Sequence, residues 1–184
     1  MELCSGGDLL NYVRKRRRLQ ESVARAIFRQ VVAGLAYCHS KGIVHRDMKL
    51  DNILLDARGN VKICDFGVSR LLRSAQETMT EQCGTPAYIA PEILRDKGYR
   101  GFGVDVWSLG VCLYAMLYGT VPFKANNMNE LHRLILKAKF AFKDELKPGQ
   151  TPPSEEVKGL IRLLLEPNPE KRIDIKSLQK HPWL

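Results

Sequence analysis

Apolar side chains recur at helical spacing along several stretches of the chain. The clearest stretch is 21–41, where they fall on one face of a helix and Gly42 follows at the point where that helix would stop. These apolar positions are Val23, Ile27, Val31, Leu35 and Cys38. The same periodicity predicts further helices over 104–118, 129–137, 154–165 and 174–180. Ser154, which two glutamates follow, is typical of a helix N-cap.

Short apolar segments at 43–44, 53–55 and 61–63 do not fit this helical pattern and predict strands. The last two are separated by residues 56–60, whose Asp, Gly and Asn favour a hairpin turn. Residues 65–92 show little periodicity. A segment of this length is either a functional loop or evidence against the interpretation of the chain as one compact domain. The pattern as a whole predicts a mainly α domain with a small β hairpin feature beside a polar loop.

Composition narrows the class of protein. A hydrophobic fraction of 45% excludes a wholly disordered chain. The most apolar stretch, 106–117, is shorter than the about 18 residues that cross a bilayer, so it predicts a helix buried on all sides and no membrane span. The five cysteines are scattered without a CxxC pair, which favours a reducing, intracellular compartment, cytoplasmic with a nuclear location also open. Three histidines are expected to lie packed or at the surface rather than to act as ligands: His39, His132 and His181.

The net charge of +9 favours anionic partners, such as the phosphates of ATP, an acidic protein or nucleic acid. Much of the excess lies in the basic run Arg14-Lys15-Arg16-Arg17-Arg18. This run is either a solvated helix end or a patch for nuclear import or docking. No aromatic residues interleave it, so nucleic-acid binding is not expected.

Candidate chemistry is concentrated in 45–52, between two of the predicted strands. Asp47 and Asn52 are five residues apart, so one loop can aim a proton acceptor and a cation ligand into the same space. Lys49 adds a positive charge that could neutralise a transferring phosphoryl group. Asp65 follows the last predicted strand and precedes Phe and Gly, a position suited to binding Mg²⁺.

Several motifs together resemble the signature set of protein kinases. They are His-Arg-Asp-x-Lys-x-x-Asn at 45–52, Asp-Phe-Gly at 65–67, Gly-Thr-Pro through Ala-Pro-Glu at 84–92, Asp-Val-Trp-Ser-Leu-Gly at 105–110, and Arg172. Their order and spacing are similar to those of the family over essentially the whole chain. The resemblance implies ATP and Mg²⁺ as cofactors, protein substrates and the serine/threonine specificity class.

The resemblance implies a catalytic role for residues of the two central motifs. Asp47 matches the base that orients the substrate hydroxyl and accepts its proton. Asn52 and Asp65 match the metal ligands. Lys49 matches the lysine that contacts the γ-phosphate, and Thr85 matches the threonine that bonds the base and this lysine.

Other matching residues have supporting roles in the family. Glu92 and Arg172 resemble an ion pair that anchors the substrate-binding segment, and Asp105 resembles an aspartate that ties down the catalytic loop. His45 and Phe66 resemble two members of a hydrophobic column. These five residues are expected to hold the site without doing chemistry.

The first eight residues resemble the hinge between the two kinase lobes. Met1 matches the gatekeeper, and Glu2 to Cys4 would offer backbone groups to adenine. Asp8 would reach the ribose or a basic substrate residue, and Leu54 resembles the residue that packs under the adenine ring.

The chain contains no glycine-rich loop, no lysine on a third strand and no helix with its paired glutamate. The expectation is therefore a hinge (1–8) plus the C-terminal lobe of a kinase domain (1–184), with the catalytic loop at 45–52 and the activation segment at 65–92. Since phosphoryl transfer depends on positioning and charge, this chain alone is expected to be inactive or nearly so.

Details of the sequence also suggest a subfamily. Residues 104–123 and the final His-Pro-Trp-Leu are similar to the calcium/calmodulin-dependent and AMP-activated group. Asp51, placed with Asp8 beside the nucleotide, could pair with arginines upstream of the target serine, which implies a preference for basic substrates.

Two matters stay open. Arg46 usually pairs with a phosphorylated residue, and here either Glu81 supplies a permanent charge or Thr78 or Thr80 is phosphorylated. The lobe could also be a non-catalytic binding or regulatory module. Aminoglycoside-type kinases share the Asp and Asn spacing but lack Thr85 and the Ala-Pro-Glu motif.

Overall fold

The computed structural model describes residues 4–143 and 150–184. Its helices are α1 (Leu9–Arg16), α2 (Glu21–Ser40), α3 (Pro91–Leu94), α4 (Gly101–Tyr118), α5 (Met128–Leu136), α6 (Glu155–Leu164) and α7 (Ile175–Gln179). Its strands are β1 (Gly7–Asp8), β2 (Ile43–Val44), β3 (Ile53–Leu55), β4 (Val61–Ile63), β5 (Arg70–Leu71), β6 (Thr78–Met79) and β7 (Tyr99–Arg100). Short 3₁₀ turns cover Leu50–Asn52 and Pro86–Tyr88.

The core lies where α2 and α4 pack together, with α7 against α2 and α6 against α4. Of the apolar positions predicted for α2, Ile27, Val31 and Leu35 are buried there, because residues three and four apart in a helix share a side. Val23 and Cys38 are half-buried. Helix α4 is buried nearly all round, as its continuous apolar sequence indicated.

Helix α4 begins three residues before its predicted start and is 18 residues long. Among the described residues it is the one helix whose length and composition would allow a membrane crossing, but 83% of that stretch is buried inside the fold. Its apolar character is therefore explained by its place in the core.

Side chains cap four of the helix starts. Asp8, Asn127, Ser154 and Asp174 each accept a hydrogen bond from the backbone N–H three residues later. The predicted cap at Ser154 is confirmed. Since Asp174 is itself a cap, α7 starts one residue later than the pattern predicted.

Helix α1 was not predicted, and it occupies the segment that carries the basic run. Only Leu9 and Val13 of this helix are buried, which is too few positions for a clear periodic signal. Three of the basic residues form its last turn, and Arg17 leaves it with a φ of 67°. The basic run therefore sits at a helix end, as one of its two interpretations expected.

The β structure is more extensive than one hairpin, which corrects the predicted fold class. In the described part of the chain there are three small antiparallel sheets, with strand orders β1-β3-β4, β2-β5 and β6-β7. The predicted hairpin is β3–β4, and Asp56 closes its turn by accepting from the backbone N–H groups of Arg58 and Asn60. The aperiodic segment 65–92 contributes β5 and β6, which pair with distant two-residue strands.

Candidate active site

The loop 45–52 is fixed to helix α4 by one buried carboxylate. Asp105 accepts from the backbone N–H groups of His45 at 2.9 Å and Arg46 at 2.8 Å. Its Oδ2 also lies 2.8 Å from Nε2 of His39 in α2. Hydrogen bonds to a charged acceptor are stronger than neutral ones, so this carboxylate holds the start of the loop firmly. His39 is packed, as expected, but it has a partner that the sequence did not reveal.

His45 connects the loop to the segment that begins at Asp65. Its ring lies edge-on to Phe66 with centroids 4.8 Å apart. Its Nε2 donates to the carbonyl oxygen of Cys64 at 2.9 Å, and its Nδ1 accepts from the backbone N–H of Asp47 at 3.2 Å. A carbonyl can only accept and a backbone N–H can only donate, so these contacts select the neutral Nε2–H tautomer.

Asp47 and Asn52 lie side by side. The amide nitrogen Nδ2 of Asn52 donates to the carbonyl oxygen of Asp47 at 2.9 Å and approaches its Oδ2 at 3.4 Å. The 3₁₀ turn Leu50–Asn52 makes this approach possible by folding the loop back on itself. The backbone N–H of Cys64 donates to the carbonyl of Asn52 at 3.0 Å, which brings the start of 65–67 to the same place.

The carboxylate of Asp47 is positioned by two further side chains. The Thr85 hydroxyl donates to its Oδ1 at 2.9 Å and accepts from Nζ of Lys49 at 2.9 Å. Nζ of Lys49 also lies 3.3 Å from Oδ2 of Asp47. Gly84, at a φ of 110°, permits this approach, because a Cβ there would lie 3.0 Å from the Arg46 carbonyl oxygen. An aspartate held in this way can accept a proton from a hydroxyl group beside a lysine cation.

The oxygen donors available here suit a hard cation. Asp65 is exposed, has a φ of 63°, and accepts from the Gly67 N–H at 3.3 Å through one carboxylate oxygen only. The amide nitrogen of Asn52 donates to Asp47, so the Oδ1 atom of Asn52 is the side-chain atom that could bind a cation. Across 4–143 and 150–184 no group of three His, Cys, Asp or Glu residues could form an all-protein metal centre. Such a donor set fits Mg²⁺, which binds one or two protein oxygens together with phosphate and water.

The residues predicted to surround a nucleotide are partly described. Asp8 and Leu54 are register partners in the β1–β3 pair, so the structure brings them together. The Asp8 carboxylate, however, caps α1, accepting from the backbone and side-chain nitrogens of Asn11 at 2.8 Å each. The backbone carbonyl oxygen of Cys4 accepts a hydrogen bond from the Gly7 N–H at 3.2 Å. Asp51 is exposed on the 3₁₀ turn.

Met1 and Glu2, which were assigned to the hinge, lie outside the described residues.

A charged network joins the loop to the segment 65–92. Arg46 donates to Glu81 at 2.5 Å, and Arg70 contacts both Glu81 at 3.4 Å and Glu77 at 2.9 Å. The hydrogen bond and charge of Arg46 lower the pKa of Glu81. Although burial opposes its charge, the bond to Glu81 raises the pKa of Arg46. The Glu81 carboxylate thus pairs with Arg46, which is the contact on which one of the two open interpretations depends.

Glu92 and Arg172 form a buried, two-pronged ion pair. Nη1 and Nη2 of Arg172 donate to the two Glu92 carboxylate oxygens at 2.6 and 2.8 Å. The carbonyl oxygens of Glu166 and Gly103 accept from Nε and Nη1 of Arg172, respectively, at 2.9 Å each. The guanidinium also lies 5.1 Å from the Trp107 ring. Both carboxylate oxygens of Glu92 and four of the five N–H donors of Arg172 therefore have partners within the protein.

Sequence reasoning missed His39, Arg70 and Glu77 as members of these networks. His39 meets Asp105 across 66 residues, and no local pattern marks such a pair. Arg70 and Glu77 lie in a segment without periodicity, where the pairing depends on the small sheets around them.

Comparison with known proteins agrees with this geometry. The family described as "Protein kinase domain" matches residues 1–184. CBL-interacting serine/threonine-protein kinase 20 of Arabidopsis thaliana is 44% identical over all of this chain and 40% of its own length. CBL-interacting protein kinase 24 of Oryza sativa is 40% identical over all of the chain and 39% of its own length. NUAK family SNF1-like kinase 2 of Rattus norvegicus is 46% identical over all of the chain and 28% of its own length.

The chain thus spans about two fifths of the length of the CBL-interacting relatives that it matches. These homologues are serine/threonine protein kinases. The chain therefore belongs to the protein kinase family and is related over its whole length to the CBL-interacting and SNF1-like kinases.

Proposed function

We propose that this protein is an ATP-dependent serine/threonine protein kinase. The observation that carries the proposal is the Asp47 carboxylate, which Thr85 and Lys49 hold beside the amide of Asn52. Two of its relatives, CBL-interacting serine/threonine-protein kinases 20 and 15, have this activity in their names, which supports the proposal.

In the proposed reaction, Asp47 orients the hydroxyl of a substrate serine or threonine and accepts its proton as the oxygen bonds to phosphorus. Lys49 neutralises negative charge beside it, and Thr85 keeps both side chains in place. Mg-ATP, when bound, would supply the γ-phosphoryl group. The bond between the γ-phosphorus and the bridging oxygen would break, and that oxygen would leave as part of ADP. Asn52 and Asp65 are the residues that would hold the cation.

We also assign residues 1–184 to the hinge and the C-terminal lobe of the kinase domain, with the hinge at 1–8, the catalytic loop at 45–52 and the activation segment at 65–92. Cys4, Asp8 and Leu54 would lie on the adenosine side, and Met1 and Glu2, which are outside the described residues, keep their assignment as nucleotide-binding residues of the hinge. These residues alone would transfer phosphate poorly, because they hold no glycine-rich loop or strand lysine to position the phosphates.

The proposed substrates are proteins with a basic residue upstream of the target hydroxyl. Asp51 is exposed and suited to this role, whereas Asp8 already binds Asn11.

We propose an intracellular location, cytoplasmic or nuclear. We also propose that Glu81 takes the place of a phosphorylated residue, since it already binds Arg46.

The decisive experiment is an Asp47→Asn substitution in the full-length protein, assayed with Mg²⁺, labelled ATP and a basic serine peptide. The proposal predicts a loss of about 10²–10⁴-fold in kcat, because the proton acceptor is removed while the shape is kept. Asp96→Asn is the matched control, since Asp96 is exposed and asparagine tolerates its φ of 54°.

A wild-type rate in the Asp47→Asn protein would refute the assignment. The lobe assignment has its own test. Robust turnover by residues 1–184 alone, in the same assay, would contradict it.

A further inference from the structure

Two cavities open beside α1 and α2. The first lies between these helices and the β3–β4 hairpin, and the second lies between the α1–α2 connection and residues 150–152. The first has a volume of about 330 Å³, and its lining includes Tyr12, Val23, Ala26, Ile27 and Leu55. The second has a volume of about 480 Å³ and is lined by residues that include Arg16 and Arg18. Ser22 lines both cavities, so the two lie side by side. We call this surface the α1–α2 groove.

The first half of the groove is apolar because of the spacing along α2. Val23, Ala26 and Ile27 are three and four residues apart and therefore share one side of the helix. The rest of the lining consists of Leu55 of β3, Tyr12 of α1, Ser22, Gln30 and Gly59. Ala26 is exposed and Val23 is half-buried, whereas Ile27 belongs to the core, so a ligand on this side of α2 would contact mainly Ala26 and Val23.

The groove is separate from the candidate active site. Side chains alternate between the two faces of a strand, so Leu55 and its neighbour Leu54 point to opposite sides of the hairpin. Leu54 is the residue assigned to the adenosine side, whereas Leu55 lines the groove. An occupant of the groove would leave the loop 45–52 accessible.

The second half of the groove is cationic. The Arg16 guanidinium lies 3.7 Å from the centroid of the Tyr12 ring, at the border between the two halves. This stacking orders the cation and uses the ring face, which is then not available to a nucleobase. Arg18 donates one N–H to the Thr151 carbonyl at 3.0 Å and has others left for an anionic ligand.

Glu21 also lines the second half, and its negative charge, which lies 3.4 Å from Arg25 as well, offsets only part of the charge of the two arginines. The carboxylate of Glu21 accepts from the Ser154 backbone N–H and hydroxyl at 2.7 Å each and from the Trp183 indole at 2.8 Å. Asp56, in the hairpin turn, accepts from two backbone N–H groups at 2.8 Å each. Both carboxylates are committed to donors of the chain itself, while the two arginines face the groove.

We propose that the α1–α2 groove docks a linear peptide segment of a partner protein in which apolar side chains adjoin acidic ones. The apolar side chains fill the half lined by Val23, Ala26 and Ile27, and the acidic ones meet Arg16 and Arg18. Short peptides commonly bind in this way, with apolar anchors supplying affinity and charge fixing register. This surface would recruit a substrate or regulator without occupying the catalytic loop.

The test is a selection of short random peptides displayed on phage, with the immobilised full-length protein as bait. The proposal predicts an enriched pool that combines apolar residues with adjoining Asp or Glu. Selected peptides are then synthesised with a fluorescent label, and their affinity is measured by anisotropy.

Substitutions with matched controls locate the binding. Ala26→Glu fills the apolar half with a charged side chain and should weaken binding at least about tenfold. Ala33→Glu is its control, because Ala33 is also exposed on α2 but lies outside the groove. Arg16→Glu should weaken binding by about tenfold, whereas Lys15→Glu, on the same basic run but outside the groove, should have little effect.

Two outcomes would overturn the proposal. One is an enriched pool without acidic residues, or with acidic residues alone. The other is peptide binding that responds equally to Lys15→Glu and Arg16→Glu and ignores Ala26→Glu, since the basic run would then be acting as an unspecific polyanion site. Circular dichroism of each variant verifies that the protein is folded, so a loss of binding is not a loss of structure.

Discussion

The buried ion pair between Glu92 and Arg172 offers a quantitative test of how the fold is stabilised. The side chains are only 7% and 1% exposed, respectively, so removal of either partner leaves a charge in a site that water does not reach. Breaking such a pair costs about 3–5 kcal/mol, mainly because the remaining charge is desolvated without compensation. We therefore expect Glu92→Ala and Arg172→Ala each to lower the free energy of unfolding by that amount.

The two substitutions are not expected to be additive. The double variant removes both charges, so its loss should fall short of the summed single losses by about 2–3 kcal/mol. In a domain of this size each single loss corresponds to a fall in Tm of roughly 10 °C. Urea unfolding, monitored by tryptophan fluorescence, measures the free energies, and a thermal scan measures Tm. Trp107 lies next to the guanidinium, which makes the fluorescence signal sensitive to this site.

An exposed ion pair in the same protein provides the control. Arg100 and Glu170 approach to 3.9 Å, with side chains that are 61% and 74% exposed. Glu170→Ala should change the free energy of unfolding by no more than about 0.5 kcal/mol. The reasoning fails if Arg172→Ala costs no more than Glu170→Ala, or if the double variant loses the full sum of the single losses.

Three further substitutions test other parts of the structure. Glu81→Gln removes the charge that faces Arg46, so kcat of the full-length protein should fall severalfold, and an unchanged rate would show that this pair does not control activity. Asp105→Asn weakens the anchoring of the loop 45–52 by replacing one charged acceptor oxygen with a donor, so we expect a loss of about 2–4 kcal/mol in the free energy of unfolding together with reduced kcat; equal values to wild type would contradict the anchoring role. Burial opposes the charge of Glu21, but hydrogen bonds outweigh this effect and lower the pKa of its carboxyl group. The contribution of Glu21 to folding stability is therefore present above the unfolded-state pKa of 4.5 and is lost as pH falls through the lower folded-state pKa. Glu21→Gln should therefore reduce stability by about 1–2 kcal/mol at neutral pH, with a shift in Trp183 fluorescence, and should make no difference in acid; a pH-independent loss would contradict this account.

The helices show which structural features a local pattern can predict. Helices α2, α4, α5, α6 and α7 were each predicted to within a few residues, because their apolar faces recur at a spacing that the chain carries by itself. Helix α1 was missed because two buried residues cannot define a face. The strands β5 and β6 are two residues long and are stabilised by partners far along the chain, so no local signal announces them.

The candidate site divides in the same way. The motif spacing placed Asp47 next to Asn52, and the structure brings them within hydrogen-bonding distance because both lie on one short loop. The position of Thr85 against Asp47 was available only through resemblance to the family, since 38 residues separate them. The capping contact of Asp8 was not expected, because the residue had been assigned to a ligand.

The sequence by itself determined the main helices, the β3–β4 hairpin and the motifs that identify the family, because each depends on residues that are close along the chain. Only the tertiary structure decided that His39 forms a hydrogen bond with Asp105 and that Glu81 forms an ion pair with Arg46. It also decided that α1 and α2 leave a groove with one apolar and one cationic half. These features arise where separate elements pack together, and their formation requires the burial energy of the whole core to bring distant residues into contact.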